Sequence, residues 1–126
     1  MKVITGMQFQ GKLDFAMQLA KASQLDIADG RNCSLYEIQT KMIVSHFHIF
    51  IKRMVEEQLS FIEQIDKMLR YNPEVIVVAD TIAYGFTMDE FELRWREQAA
   101  NAMIYLAQQA QEVYQVICGI GVKIKG

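Results

Sequence analysis

A short β-prone run, Val3 to Thr5, leads straight into Gly6-Met7-Gln8-Phe9-Gln10-Gly11-Lys12, after which Phe15, Leu19 and Ala22 recur at helical spacing. A strand, a glycine-bounded turn and a helix in that order constrain the fold more than any other stretch of the chain. The spacing G-x-x-x-x-G-K lets successive backbone N–H groups wrap an anion, while the following helix presents its positive end. A helix is predicted over 12–23. Gly6, Met7, Gln8, Phe9, Gln10, Gly11, Lys12 and Leu13 are the candidate phosphate-binding residues, and Lys12 is placed to neutralise the outer phosphates of a nucleotide.

One position departs from that pattern. A Ser or Thr normally follows the lysine and holds Mg²⁺ through its hydroxyl, but here it is Leu13, which offers a hard cation no oxygen. Either another group or water takes that place, or the loop binds phosphate without efficient transfer. The acidic partner of such a loop is expected at the end of an apolar strand. Asp29 follows the apolar stretch 25–28, and Asp80 follows the continuous run 75–79. Either can hold Mg²⁺ through water or position an attacking hydroxyl, and these two with Lys12 are the catalytic candidates. An Asp at a strand end can equally start a turn or cap a helix.

Elsewhere, Ser34-Leu35-Tyr36-Glu37 fits a capping box. Helical periodicity then runs from Leu35 to Leu69, which is long for one globular helix and predicts two or three in succession. Asn72-Pro73 stops that region. The run 75–79 has the continuous β-branched character of a strand buried on both faces of a parallel sheet. Asp89 can cap a helix from about 90 to 110, with Phe91, Trp95, Ala99, Ala102, Met103 and Leu106 on its apolar side. Val113 to Cys118 reads as the last clear strand, and a short segment, Val122 to Lys125, follows. Strands separated by helices predict one α/β domain over 1–126, with a mostly parallel sheet, flanking helices and right-handed crossovers.

Composition excludes some roles. With 126 residues, 22% of them charged and a formal net charge of −2, the chain has no electrostatic reason to favour nucleic acid or an anionic membrane. No apolar run approaches the roughly 20 residues of a membrane span, and the apolar N-terminal stretch is cut at Gly6, Gln8, Gln10 and Lys12, unlike a signal peptide. A cytoplasmic protein is expected. Cys33 and Cys118 are far apart with no CxxC neighbour, which argues against zinc and predicts reduced, buried or half-buried thiols. His46 and His48 stand in a helical context where i and i+2 point to different sides, a poor metal pair, so structural or surface roles are expected. Arg94 and Arg96 flank Trp95; either one of them approaches a phosphate or a neighbouring subunit, or both lie on a solvated helix face pairing with Glu90, Glu92 and Glu97.

The stretch from Thr5 to Ala16, TGxxxQGKLxFA, together with the C-terminal half, resembles the adenosylcobinamide kinase/adenosylcobinamide-phosphate guanylyltransferase family of cobalamin biosynthesis. Gly6, Gly11 and Lys12 map onto that family's GGxRSGKS-type loop, whereas Met7, Gln10 and Leu13 replace its second glycine and its two serines. The apolar run 75–79, the Asp80 to Met88 segment around Gly85, Arg94-Trp95-Arg96-Glu97, and Glu112-Val113-Tyr114 through Gly119 to Lys125 follow in the family's order. The resemblance covers about residues 1–20 and 72–126. The segment that carries the family's guanylyl-accepting histidine has no counterpart here. The resemblance implies a P-loop NTPase fold of the RecA-like type, ATP or GTP as the nucleotide, and Mg²⁺ made doubtful by Leu13. It further implies phosphoryl transfer to cobinamide or another corrinoid without the guanylyltransferase step, and a homo-oligomer. A non-catalytic nucleotide- or corrinoid-binding protein is the alternative.

Overall fold

Burial on both faces makes the run before Asp80 a central strand, and the rest of the sheet is arranged around it. The computed structural model describes residues 1–81 and 89–126. Its strands are β1 (Lys2–Gly6), β2 (Ile27–Asp29), β3 (Ile43–Ser45), β4 (Ile76–Asp80), β5 (Glu112–Ile117) and β6 (Ile120–Lys125). Its helices are α1 (Lys12–Ala20), α2 (Phe47–Glu56), α3 (Phe61–Tyr71) and α4 (Glu90–Gln109). The strands form one six-stranded sheet in the order β2-β3-β4-β1-β5-β6, parallel throughout except for the antiparallel β5–β6 pair. The expected α/β class with a mostly parallel sheet is therefore present.

Alternation along the strands divides the core into two layers. Ile4, Ile76, Val78, Tyr114 and Val116 face α1, where Ala16 is fully buried among them. Val3, Val77, Ala79 and Val113 face the other way, onto Phe47, Phe50, Ile51 and Met54 of α2, Ile65 and Met68 of α3, and Ala99, Ala102 and Leu106 of α4. Most apolar positions between 47 and 68 are thus core or packed against it, whereas Leu59 and Ile62 are exposed. Among the described residues, no helix is long and apolar enough to cross a membrane.

The expected helical stretch over 35–69 is interrupted. Ile43–Ser45 is a strand, fully inserted between β2 and β4, with all three residues buried. Two consecutive β-branched residues that must bury opposite sides suit a strand slot, and here the neighbours' pairing overrides helical periodicity. Ser34 and Glu37 do form the reciprocal box: each backbone N–H donates to the other's side chain, at 3.0 and 3.1 Å. The box opens only a 3₁₀ turn, Glu37–Gln39. Helix α1 stops three residues short of the expected end, because Lys21 turns left-handed at φ 54° and caps it. The strand expected over 25–28 begins at Ile27, after a 3₁₀ turn over Gln24–Asp26. Asp89 caps α4 as expected, its carboxylate accepting the Glu92 N–H at 2.8 Å.

Cys118 corrects another expectation. It is exposed, and lies beyond β5 at the tip of the β5–β6 hairpin instead of packing in a strand. Cys118 and Gly119 both take positive φ, 51° and 76°, the conformation that a two-residue hairpin turn demands. Cys33 is buried as expected, and burial pushes its thiol above the usual value.

Candidate phosphate pocket at the strand ends

The five parallel strands end along one edge of the sheet, and register sets which ends are level. Gly6 pairs with Asp80, and Asp29 pairs with Ser45. β1 and β4 are neighbours, yet the helix after β1 packs on one face and the helix after β4 on the other. A crevice opens between their carboxyl ends, at the point where open α/β sheets place ligands. Lys12 and Asp80 meet there. Lys12 Nζ lies 2.7 Å from Asp80 Oδ1 and donates to the Met7 carbonyl at 2.7 Å. Its side chain is 6% exposed.

The loop before Lys12 is held on both sides. A Cβ on Gly6 would fall 2.5 Å from the Val116 carbonyl oxygen, so only glycine lets the chain leave β1 against β5. Further on, Gln10 is docked to the hairpin tip: Cys118 N–H donates to Gln10 Oε1 at 2.7 Å and Gly119 N–H to the Gln10 carbonyl at 2.8 Å. Gln10, which replaces a serine of the resembled family, therefore ties the loop to β5–β6. Met7 and Phe9 are exposed. Gly11 caps α1 without a side-chain bond, and the first intrahelical bond is Phe15 N–H to Gly11 O at 3.1 Å. The amides of Lys12, Leu13 and Asp14 accordingly have no acceptor within the helix, and the helix dipole favours an anion before them.

Both histidines sit at this edge, which the sequence did not disclose. His46 is not helical; it precedes α2 in a left-handed conformation, φ 49°. That turn cancels the expected divergence of positions i and i+2, and the two rings stand 6.1 Å apart between centroids. His48 Nδ1 accepts the Asp80 backbone N–H at 3.1 Å, and Nε2 lies 3.5 Å from Asp80 Oδ2. The neutral ring therefore carries its proton on Nε2, toward the carboxylate. Burial holds His48 below its ordinary pKa, against the opposing pull of Asp80. Its carbonyl accepts Trp95 Nε1–H at 3.0 Å, tying α4 to the site.

Asp29 has gone elsewhere. Arg31 clamps it, with Nε at 3.1 and 3.0 Å from its two oxygens and Nη2 at 2.7 Å, and the Arg31 N–H adds a bond at 2.9 Å. That guanidinium holds the Asp29 carboxyl below the usual carboxylate value. A small cavity of about 250 Å³ before Lys12 is lined by Phe9, Gly11, Lys12, Leu13, Asp14, Ser45, His46, Val78 and Asp80. Asp29 is not in its wall. It lies behind His46, with Oδ1 3.3 Å from His46 Nδ1. Of the three catalytic candidates, Lys12 and Asp80 are brought together and Asp29 stands one residue back.

The donor set does not fit a tightly held Mg²⁺. Leu13 supplies no oxygen, and one oxygen of Asp80 is taken by Lys12. Among the described residues, no group of three or more His, Cys, Asp or Glu is placed to hold a metal ion.

Asp80 also belongs to a second, larger cleft of about 730 Å³, between α4 and the ends of β1 and β4. Thr5, His48 and Thr81 line it from the strand-end side, and α4 lines it with Leu93, Ala100, Met103 and Ile104 alongside Glu97 and Asn101. The Thr5 and Thr81 hydroxyls are 3.4 Å apart. Arg96 lines this cleft, whereas exposed Arg94 lies over the Phe91 ring, 5.9 Å from its centroid. The Gly85 loop of the resemblance lies outside the described residues. No family model matches the chain, and no curated protein matches it either.

Proposed function

We propose that the chain is a P-loop nucleotide-binding protein of the adenosylcobinamide-kinase type, binding ATP or GTP through Gly6–Lys12 and transferring the terminal phosphoryl group to a hydroxyl acceptor. The observation that carries this reading is the meeting of Lys12 and Asp80. A nearly buried lysine, at the start of the helix that follows a glycine-bounded loop, faces a carboxylate on the neighbouring strand end. A mostly parallel sheet with that loop leaving a central strand is compatible with the RecA-like P-loop fold. Lys12 and the first amides of α1 would neutralise phosphoryl charge, and Asp80 would orient the attacking hydroxyl. The acceptor belongs in the adjoining cleft, where an amphipathic alcohol such as the aminopropanol arm of cobinamide finds Thr5, Thr81 and Asp80 on the strand-end side and the mixed apolar and polar face of α4 along its body. A cytoplasmic homo-oligomer is part of the same reading.

Leu13 favours a second reading, a nucleotide- or corrinoid-binding protein without kinase activity, because the metal-holding hydroxyl is gone. One experiment separates the two and tests both. ATP or GTP is expected to raise the melting temperature, and Lys12→Ala to abolish the rise. Turnover with cobinamide then marks the kinase, and binding without turnover marks the binding protein. No shift with either nucleotide rejects both.

A further inference from the structure

The cavity before Lys12 contains a group that the phosphate-binding reading leaves unused. His46 lines it together with Ser45, Lys12 and Asp14. Its Nδ1 is fully buried, meets no hydrogen-bond partner at a good angle, and faces Asp29 Oδ1 at 3.3 Å. The side chain as a whole is 36% exposed, so the accessible edge of the ring is the one bearing Nε2. Asp29 is itself immobilised by the three contacts from the Arg31 side chain. A carboxylate facing Nδ1 keeps the proton on that nitrogen and leaves the Nε2 lone pair toward the cavity. A carboxylate behind one ring nitrogen and a free lone pair on the other is the charge arrangement that suits a general base.

The geometry points to a further activity: hydrolysis of a bound nucleoside triphosphate, with His46 as the catalytic base and Asp29 as its positioning residue. This rests on the nucleotide reading of the Gly6–Lys12 loop. Water in the cavity gives a proton to His46 Nε2 as its oxygen attacks the terminal phosphorus. The new P–O bond forms, the bond from that phosphorus to the bridging oxygen breaks, and nucleoside diphosphate leaves with the electron pair. The proton on His46 then passes to solvent. Nothing but water and the nucleotide is consumed. Hydrolysis on this side of Asp80 is distinct from transfer to an alcohol in the cleft on the other side, where His46 is not part of the wall.

Asn and Gly both tolerate the left-handed backbone of position 46, so His46→Asn and His46→Gly test the base without straining the turn. Phosphate release from ATP and GTP is measured on the full chain without an acceptor, alongside nucleotide affinity. Both variants are expected to keep the wild-type affinity and lose turnover by about 100-fold, the usual share of a general base. Added imidazole is expected to restore part of it in His46→Gly only. Asp29→Asn is expected to lower kcat and leave KM unchanged. Wild-type turnover in His46→Asn, or nucleotide binding by the wild type without phosphate release, overturns the hydrolase and leaves the nucleotide reading standing. Absence of Lys12-dependent binding overturns both.

Discussion

Asp29 and Asp80 end parallel strands at the same edge of the sheet, the first after the apolar pair Ile27-Ala28 and the second after the longer apolar run 75–79, and they have been put to different uses. Asp29 is engaged locally: its strongest partner, Arg31, is two residues away, and that arginine side chain is 59% exposed. Asp80 is engaged across the fold. Its partner, Lys12, belongs to the helix after a different strand, is 6% exposed, and meets it only because β1 and β4 are neighbours with Gly6 level with Asp80. An ion pair on the surface contributes little, since water already solvates both charges. A pair with one buried member is different, because removing one charge strands the other in a medium that solvates it poorly. Similar local sequence has therefore produced a turn clamp at one strand end and a charged centre at the other.

The sharpest way to break this contrast is to remove each carboxylate in turn. Asp80→Ala leaves the Lys12 ammonium with the Met7 carbonyl alone and is expected to lower stability by about 2 kcal/mol in urea denaturation. That lies below the range for fully buried pairs, because Asp80 retains 22% of its exposure. Asp29→Ala is expected to cost less than about 1 kcal/mol in the same measurement. Equal losses would show that burial of Lys12 does not distinguish the two ends.

Acid sharpens the contrast further, because the two ends report in different windows. His48, packed against Asp80 with Lys12 and His46 nearby, has its pKa lowered from 6.5, mainly by burial. Between that lowered value and 6.5 the unfolded chain binds more protons, so this contribution falls as the pH drops below about 6.5. Asp29 has its pKa lowered from 3.8, mainly by the Arg31 hydrogen bond. Its contribution is full above 3.8 and is lost as the pH falls from there through the lowered value. Chemical denaturation across pH is expected to show both declines, and His48→Gln to remove only the upper one. An unchanged upper decline in that variant would detach it from the Asp80 end.

The loop, its lysine and the two flanking elements were legible in the sequence because each depends on neighbours in the chain. Glycine spacing, strand propensity before it and helical periodicity after it are all local. The apolar run before Asp80 was legible for a related reason, since a strand covered on both faces has no polar side to display. The strand Ile43–Ser45 was not. Three residues are too few to establish a period, and the β-branched pair Ile43-Val44 also fits the helical pattern on either side. A helical pattern across 35–69 places His46 inside a helix and hides its approach to the Lys12 cavity. The adjacent β-branched pair Ile43-Val44, two residues before His46, was the available signal.

By itself the sequence determined the class of the fold, the place of the glycine-bounded loop between strand and helix, and the presence of Leu13, without a side-chain oxygen, directly after Lys12. These are properties of residue type at fixed spacing. The tertiary structure alone decided which strand-end carboxylate faces Lys12, that Gln10 is anchored to the β5–β6 turn, and that His46 and His48 flank Asp80 in two separate cavities. Those choices depend on strand order and on which face each helix takes. Order and face are set by burying apolar surface over the whole sheet, a collective quantity that no short stretch of the chain encodes.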